Sequence, residues 1–379
     1  MPELRDLLER EMGRTGIEPL TLEDFLRRRD AVARRRRITA AILAIAVAVA
    51  ATGVAVRAFD RAQAPTPATY PLPPAGSIAF VEYRHEAERI DALDPATGRV
   101  TTVMDLGCER TGVLARSCPG VSIEALDASP DGSQLVFAAR EAHQPSAYNT
   151  TWTMTSGLYL FDLRTHVRTK LVDCPSASSC VQVTSPAWSP DGTTIAYTAI
   201  APNGTSIRLV DLDGSDDRPV DVGTLSNADS PSWFPDGSRI LFSATPYHGP
   251  QVPGLYSIEA GGGEPDPIDL GTIPRAAHVE VAGLWAPSLS PDGTTVVFHA
   301  DPGGPRSWFW VGRIGGQAAR RIPGLGTEQG IVSWMPDSSR IVVIADGRLQ
   351  LVDPWTGSRS PVTHADGWVS PVVLGRSGS

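Results

Sequence analysis

The sequence predicts an all-β protein, a six-bladed β-propeller standing behind a single transmembrane helix and a short helical cytoplasmic segment. Three observations carry the propeller. The first is a turn, Ser189-Pro190-Asp191-Gly192, which recurs as Ser129-Pro130-Asp131-Gly132, Phe234-Pro235-Asp236-Gly237, Ser290-Pro291-Asp292-Gly293 and Met335-Pro336-Asp337-Ser338. The second is the β-branched and aromatic run behind each turn: Gln134 to Phe137, Thr194 to Tyr197, Arg239 to Phe242, Thr295 to Phe298 and Arg340 to Val343. The third is the spacing. The turn prolines stand at 130, 190, 235, 291 and 336, separated by 60, 45, 56 and 45 residues. A kernel of roughly 40 to 45 residues with insertions is the period of a four-stranded propeller blade.

The turn has a physical basis. Proline presets φ for the second position of a type I turn, aspartate bonds its own downstream backbone, and glycine accepts a positive φ without steric cost. Each unit then shows a third strand, such as Gly157 to Asp162, Ile207 to Asp211, Gly254 to Ile258, Trp308 to Val311 and Arg348 to Asp353. A second turn follows, such as Asp211-Leu212-Asp213-Gly214 or Asp353-Pro354-Trp355-Thr356-Gly357, and then a short fourth strand such as Arg168 to Val172. Trp188, Trp233 and Trp334 share one repeat position with Ala128 and Leu289, which marks them as packing residues.

This repeat resembles the WD-repeat-like propellers of the TolB type, whose units carry the Ser-Pro-Asp-Gly turn, an apolar strand and a third strand ending in aspartate. The resemblance covers roughly Ser77 to the C-terminus. It implies the fold and says little of function, because propellers host binding proteins, sensors and enzymes alike.

Five turns are countable, but Ser77 to Tyr83 reads as a second strand and Arg89 to Gly98 as a third strand with its turn, so the first blade lacks its innermost strand. The segment Trp368 to Ser379 aligns with Asp229 to Ser238, the start of another unit. Six blades, with the C-terminal strand closing blade one, are therefore expected over residues 77–379.

Residues 1–37 read as a cytoplasmic helical segment. Leu7 and Leu8 belong to one apolar stripe, and Phe25 and Leu26 to a second behind a Thr21 to Asp24 capping pattern; both stripes suit a cytoplasmic protein partner. Residues 38–56 are nineteen uncharged residues, which as a helix span roughly 28 Å against the ~30 Å of bilayer hydrocarbon. Seven arginines between positions 27 and 37 precede them, so the positive-inside rule places the N-terminus in the cytoplasm and the propeller outside. A cleaved signal peptide is the alternative; the long preceding region argues for a retained anchor. The linker 57–76 holds Pro65, Pro67, Pro71, Pro73 and Pro74 and reads as a semi-rigid polyproline spacer.

Residues 1–57 carry 11 arginines against 8 acids, net +3, while the remainder carries 22 basic and 34 acidic residues, net −12. An acidic propeller is a poor nucleic-acid binder. The four cysteines fall as Cys108 with Cys118 and Cys174 with Cys180, each pair in one connection, and in an oxidising compartment each would close a local disulfide. Their spacings match no common zinc motif.

In a four-stranded meander the connections from second to third strand, and from fourth strand to the next blade, emerge on one face. The longest insertions, Glu141 to Ser156, Thr245 to Pro253, Asp301 to Arg306 and both cysteine loops, all lie on that face. It carries Tyr148, Trp152, Tyr247, His248, Trp285 and Arg306, of types enriched in binding hot spots, as candidate ligand contacts. There is no Gly-x-Ser-x-Gly elbow, the seven histidines do not cluster, and no glycine loop precedes a helix, so no catalytic residue, metal or cofactor is expected. The resulting expectation is a membrane-anchored, extracytoplasmic, non-catalytic module binding a protein or cell-envelope ligand. The alternatives are a transmembrane signalling protein resembling an anti-sigma factor, with the propeller as sensor, and an exported enzyme on saccharides or peptides.

Overall fold

A computed structural model describes residues 70–84, 87–105, 121–143, 153–175, 180–248, 252–273, 283–301, 308–326, 330, 332–345, 348–364 and 369–375. The predicted segments 1–37 and 38–56, with Leu7, Leu8, Phe25 and Leu26, lie outside the described residues, as does the linker up to residue 69. Among the described residues there is no helix, and so none long and apolar enough to cross a membrane.

The described chain is six four-stranded antiparallel sheets. Blade 1 begins with β1 (Ile78–Arg84), β2 (Ala87–Leu93) and β3 (Val100–Asp105). Blade 2 is β4 (Val121–Ala128), β5 (Gln134–His143), β6 (Thr153–Asp162) and β7 (Arg168–Pro175). Blade 3 is β8 (Gln182–Trp188), β9 (Thr194–Ala201), β10 (Gly204–Asp211) and β11 (Arg218–Pro219). Blade 4 is β12 (Leu225–Trp233), β13 (Arg239–Pro246), β14 (Gly254–Glu259) and β15 (Asp266–Pro267). Blade 5 is β16 (Gly283–Leu289), β17 (Thr295–Asp301), β18 (Trp308–Arg313) and β19 (Arg320–Arg321). Blade 6 is β20 (Ser333–Trp334), β21 (Ile341–Ala345), β22 (Arg348–Val352) and β23 (Arg359–His364).

The innermost strand of blade 1 is β24 (Val369–Val373), which pairs antiparallel with β1 through Ile78 to Val373 and Ala79 to Val372. The ring is thus closed by a strand from the far end of the chain, as the degraded repeat at Trp368 implied. One expectation is adjusted. The insertion placed at Glu141 to Ser156 is shorter, because β5 and β6 stay paired as far as His143 and Thr153.

Strand alternation divides each blade between two interfaces, and the core is six apolar clusters, one between each pair of neighbours. In β5, Leu135 and Phe137 face blade 1 with Val81 and Ile90, while Val136 and Ala138 face blade 3 with Trp188 and Tyr197. Trp233 and Phe242 join blades 3 and 4, Leu241 and Phe298 blades 4 and 5, Phe309 and Trp334 blades 5 and 6. Ile78, Phe80 and Val373 pack with Val342 and Leu349 and so fasten blade 6 to blade 1. Each fully buried side chain of this size contributes about 1.5–3 kcal/mol.

Polar bonds set the angle between inner strands. The Trp233 indole donates to Ala187 O of blade 3 and the Trp334 indole to Ser288 O of blade 5, each at 3.1 Å. Asp127 Oδ2 accepts from Trp188 N at 2.7 Å, and Ser333 Oγ from Val373 N at 3.3 Å.

The Pro-Asp-Gly turns close as expected. Ser189 O accepts from Gly192 N at 2.9 Å, Asp191 Oδ1 accepts from Ser189 Oγ and Thr193 N, and Ser189 Oγ accepts from Thr194 N. Gly192 has φ +74°, and in the sixth blade Ser338 takes the same left-handed conformation at +58°. These bonds hold the Asp191 carboxyl below the usual carboxylate range, the Ser189 hydroxyl contributing most.

Two outcomes test this account. Deleting residues 369–379 should expose the β1 edge and the blade 6 cluster, and light scattering should then find oligomers or an unfolded chain in place of a monodisperse protein; an unchanged melting temperature would contradict ring closure. Asp191→Asn should cost about 1–2 kcal/mol in urea melts near neutral pH. Because the folded pKa is depressed, the stabilisation is present above about pH 4 and fades as pH falls through the folded value, so the two proteins should converge in acid.

Candidate functional site

The turns between first and second and between third and fourth strands lie on one face of the ring, and the remaining connections on the other. The first face is closed by the short bonded turns just described. The second, the loop face, carries the residues singled out from sequence. Tyr247 is 59% exposed, at the end of β13, with its N–H donating to Thr224 O at 3.0 Å. His248 beside it is exposed, and Trp285 is half-buried on β16. Tyr148, Trp152 and Arg306 lie outside the described residues, as do Cys108 and Cys118. Cys174 and Cys180 form a disulfide with Cα atoms 5.3 Å apart, closing the connection between β7 and β8 on this face.

The structure brings the blade 4 loop against Gly283 and Leu284, the start of the strand that carries Trp285. Pro253 O accepts from Leu284 N at 2.9 Å, and at Gly283 a Cβ would stand 2.9 Å from Pro253 Cδ, so only glycine permits this approach. Sequence reading missed Met154, Val181 and Val252, all exposed on the same face. No periodic signal marks them, since each sits where a strand meets its connection and alternation no longer decides burial. It also missed a polar cluster across the inner strands of blades 2 and 3, in which Glu124 binds both Arg140 and the Gln182 amide.

A small cavity lies among the inner strands. Its volume is about 110 Å³, and it is lined by Ser185-Pro186, Ser230-Pro231, Ala286-Pro287 and Pro371, with Trp334 at its wall. In blades 3, 4 and 5 the pre-proline residue has φ near +50° (Ser185 +48°, Ser230 +55°, Ala286 +49°), and the register of the inner strand slips there. Proline suits such a bulge because it has no N–H to leave unpaired. The Ser-Pro and Ala-Pro pairs were visible at one repeat position; the bulge they make was not. The cavity's titratable lining residue is Asp127, engaged by Trp188 N.

Burial and the bond to Glu141 push the Tyr159 hydroxyl up to about 12, and burial with Asp217 raises Tyr197 further. Among the described residues no three His, Cys, Asp or Glu side chains are placed to hold a metal ion. His299, cross-strand from Trp285, is 4% exposed; its Nε2 donates to Gly330 O at 3.0 Å, its ring lies 4.1 Å from Phe309, and Nδ1 has no partner.

No protein-family model matches the chain, and no curated protein matches it. Among solved structures, the chain is similar to TolB from Acinetobacter baumannii, with TM-score 0.57 and 17% identity over 79% of this chain and 67% of that one. It is also similar to a chain of a nidogen/laminin complex, with TM-score 0.51 and 10% identity over 79% of this chain and 98% of the other. At such identities the likeness is one of fold, and the protein is a TolB-like six-bladed propeller.

Burial lowers the His299 pKa, so the folded state prefers the neutral ring. Its stabilisation is full above about pH 6.5 and is lost as pH falls from there towards the folded value. His299→Gln, which keeps a donor for Gly330, should flatten the loss of stability between pH 7 and pH 5 in calorimetry, while the wild type falls more steeply.

Proposed function

We propose that this protein is a membrane-anchored, extracytoplasmic propeller that binds a protein partner through its loop face and performs no chemistry there. The observation that carries the reading is the asymmetry of the ring. Exposed apolar side chains occur on both faces, Val100 and Val167 on the turn face among them, but the turn face is built of short, internally bonded turns, while the loop face carries Met154, Val181, Tyr247 and Val252 on its longer connections together with a disulfide-closed one. Exposed aromatic and aliphatic side chains on a rigid scaffold are the usual material of binding hot spots. The Cys174–Cys180 disulfide suits an oxidising compartment, in keeping with the orientation expected from the arginines before residue 38.

The test is site-specific photocrosslinking of the full chain in native cells. A photoreactive residue at Tyr247 or Val252 should give a discrete adduct that Trp285→Ala weakens, and the same residue at Thr193 on the turn face should give none. Equal adducts on both faces, or adducts on the turn face alone, would overturn the reading.

A further inference from the structure

A second cavity, of about 450 Å³, lies on the turn face between blades 1 and 2, beneath the segment that leads into β1. That segment is strapped down. Tyr70 N donates to Arg164 O at 2.7 Å, Leu72 packs on the core of blades 1 and 2, and Gly76 N donates to Leu374 O at 2.8 Å. The Tyr70 ring stacks on His166 with centroids 3.6 Å apart and planes 16° from parallel.

His166 is anomalous for its turn. Asp94 to Gly98 and Asp353 to Gly357 form the same five-residue turn, in which the fifth N–H donates to the first carbonyl, and both end in glycine at φ about +70°. Asp162 to His166 makes the identical bond with histidine at φ +54°, where a side chain is disfavoured. The turn does not need an imidazole; the stack with Tyr70, which helps roof the cavity, does.

The cavity's volume lies within the roughly 300–1,000 Å³ of small-molecule pockets. Its walls are largely apolar, from Pro71, Leu72, Pro74, Ala92, Val103 and Leu163. Two polar features converge on it. Ser77 is among its lining residues, and the Ser77 hydroxyl, shut off from solvent, has no hydrogen-bond partner, a costly state for a buried polar group. Arg99, exposed and without an ion-pair partner among the described residues, also lines it, as does Asp94, whose carboxylate accepts from Thr97 Oγ1 and Ala96 N of its own turn.

We propose that this cavity binds a small amphipathic acid, with its apolar body between the strap and the blade 1 wall and its anionic group on Arg99. The site is separate from the loop face and does not depend on what that face binds.

The test is photoaffinity labelling of the full chain with a ten-carbon aliphatic acid bearing a diazirine, followed by peptide mapping. Labelling should fall on peptides covering residues 70–77, 92–103 or 163–166, be competed by decanoate, and drop about tenfold in Arg99→Gln, the scale of one charge-assisted hydrogen bond. The matching ten-carbon alcohol should label these peptides several-fold less. His166→Gly, which restores the residue used in the sister turns, should loosen the roof and reduce labelling. No competable labelling at these peptides, equal labelling by acid and alcohol, or no effect of Arg99→Gln in a folded variant would each overturn the proposal. Should Arg99→Gln fail to fold, the acid and alcohol compared on the wild type decide it.

Discussion

Each blade of this protein is a sheet apolar on both faces, and a sheet of that kind is stable only between two others. The pairing of Val369–Val373 with Ile78–Arg84 supplies what a linear stack would lack, a second neighbour for both terminal blades. Without it, Phe80 and Leu349 would meet water on one side, and β1 would present an unpaired edge. The indole bonds of Trp233 and Trp334 and the acceptors Asp127 and Ser333 then fix how far each inner strand sits from the last, and so the bore of the ring. A bore lined by proline is the result.

The same closure separates the work of the two faces. On the turn face, aspartates, serines and threonines satisfy one another within a few residues, as Asp191 does with Ser189 and Asp292 with Ser290 and Thr294. On the loop face the connections are longer, and Met154, Val181, Tyr247 and Val252 stand exposed there. The disulfide between Cys174 and Cys180 ties one of these connections to the core between blades 2 and 3, where Cys174 is fully buried and Cys180 packs against it.

The repeat was legible in sequence because proline, aspartate and glycine each solve a local problem that does not depend on the rest of the chain. Trp188, Trp233 and Trp334 were legible as packing residues because they recur in register, and all three are buried. What could not be read depends on how blades meet. The exposure of Met154, Val181 and Val252 is decided by which connection covers which strand end. The left-handed Ser185, Ser230 and Ala286 reflect the crowding of six inner strands around one axis. His166 carried a faint signal, a histidine where sister turns have glycine, but its meaning came only with Tyr70 stacked against it.

Closure by strands from opposite ends of the chain also bears on how the protein is made. Ile78 finds its partner Val373 only after the five intervening blades have been synthesised, so the first blade is the last to be completed. Contacts this distant in sequence slow folding, and until they form the nascent ring carries an open sheet edge at its start. Biogenesis would then be governed by how long that edge stays covered, which makes the period between translation of β1 and of β24 the interval in which the chain most needs a chaperone.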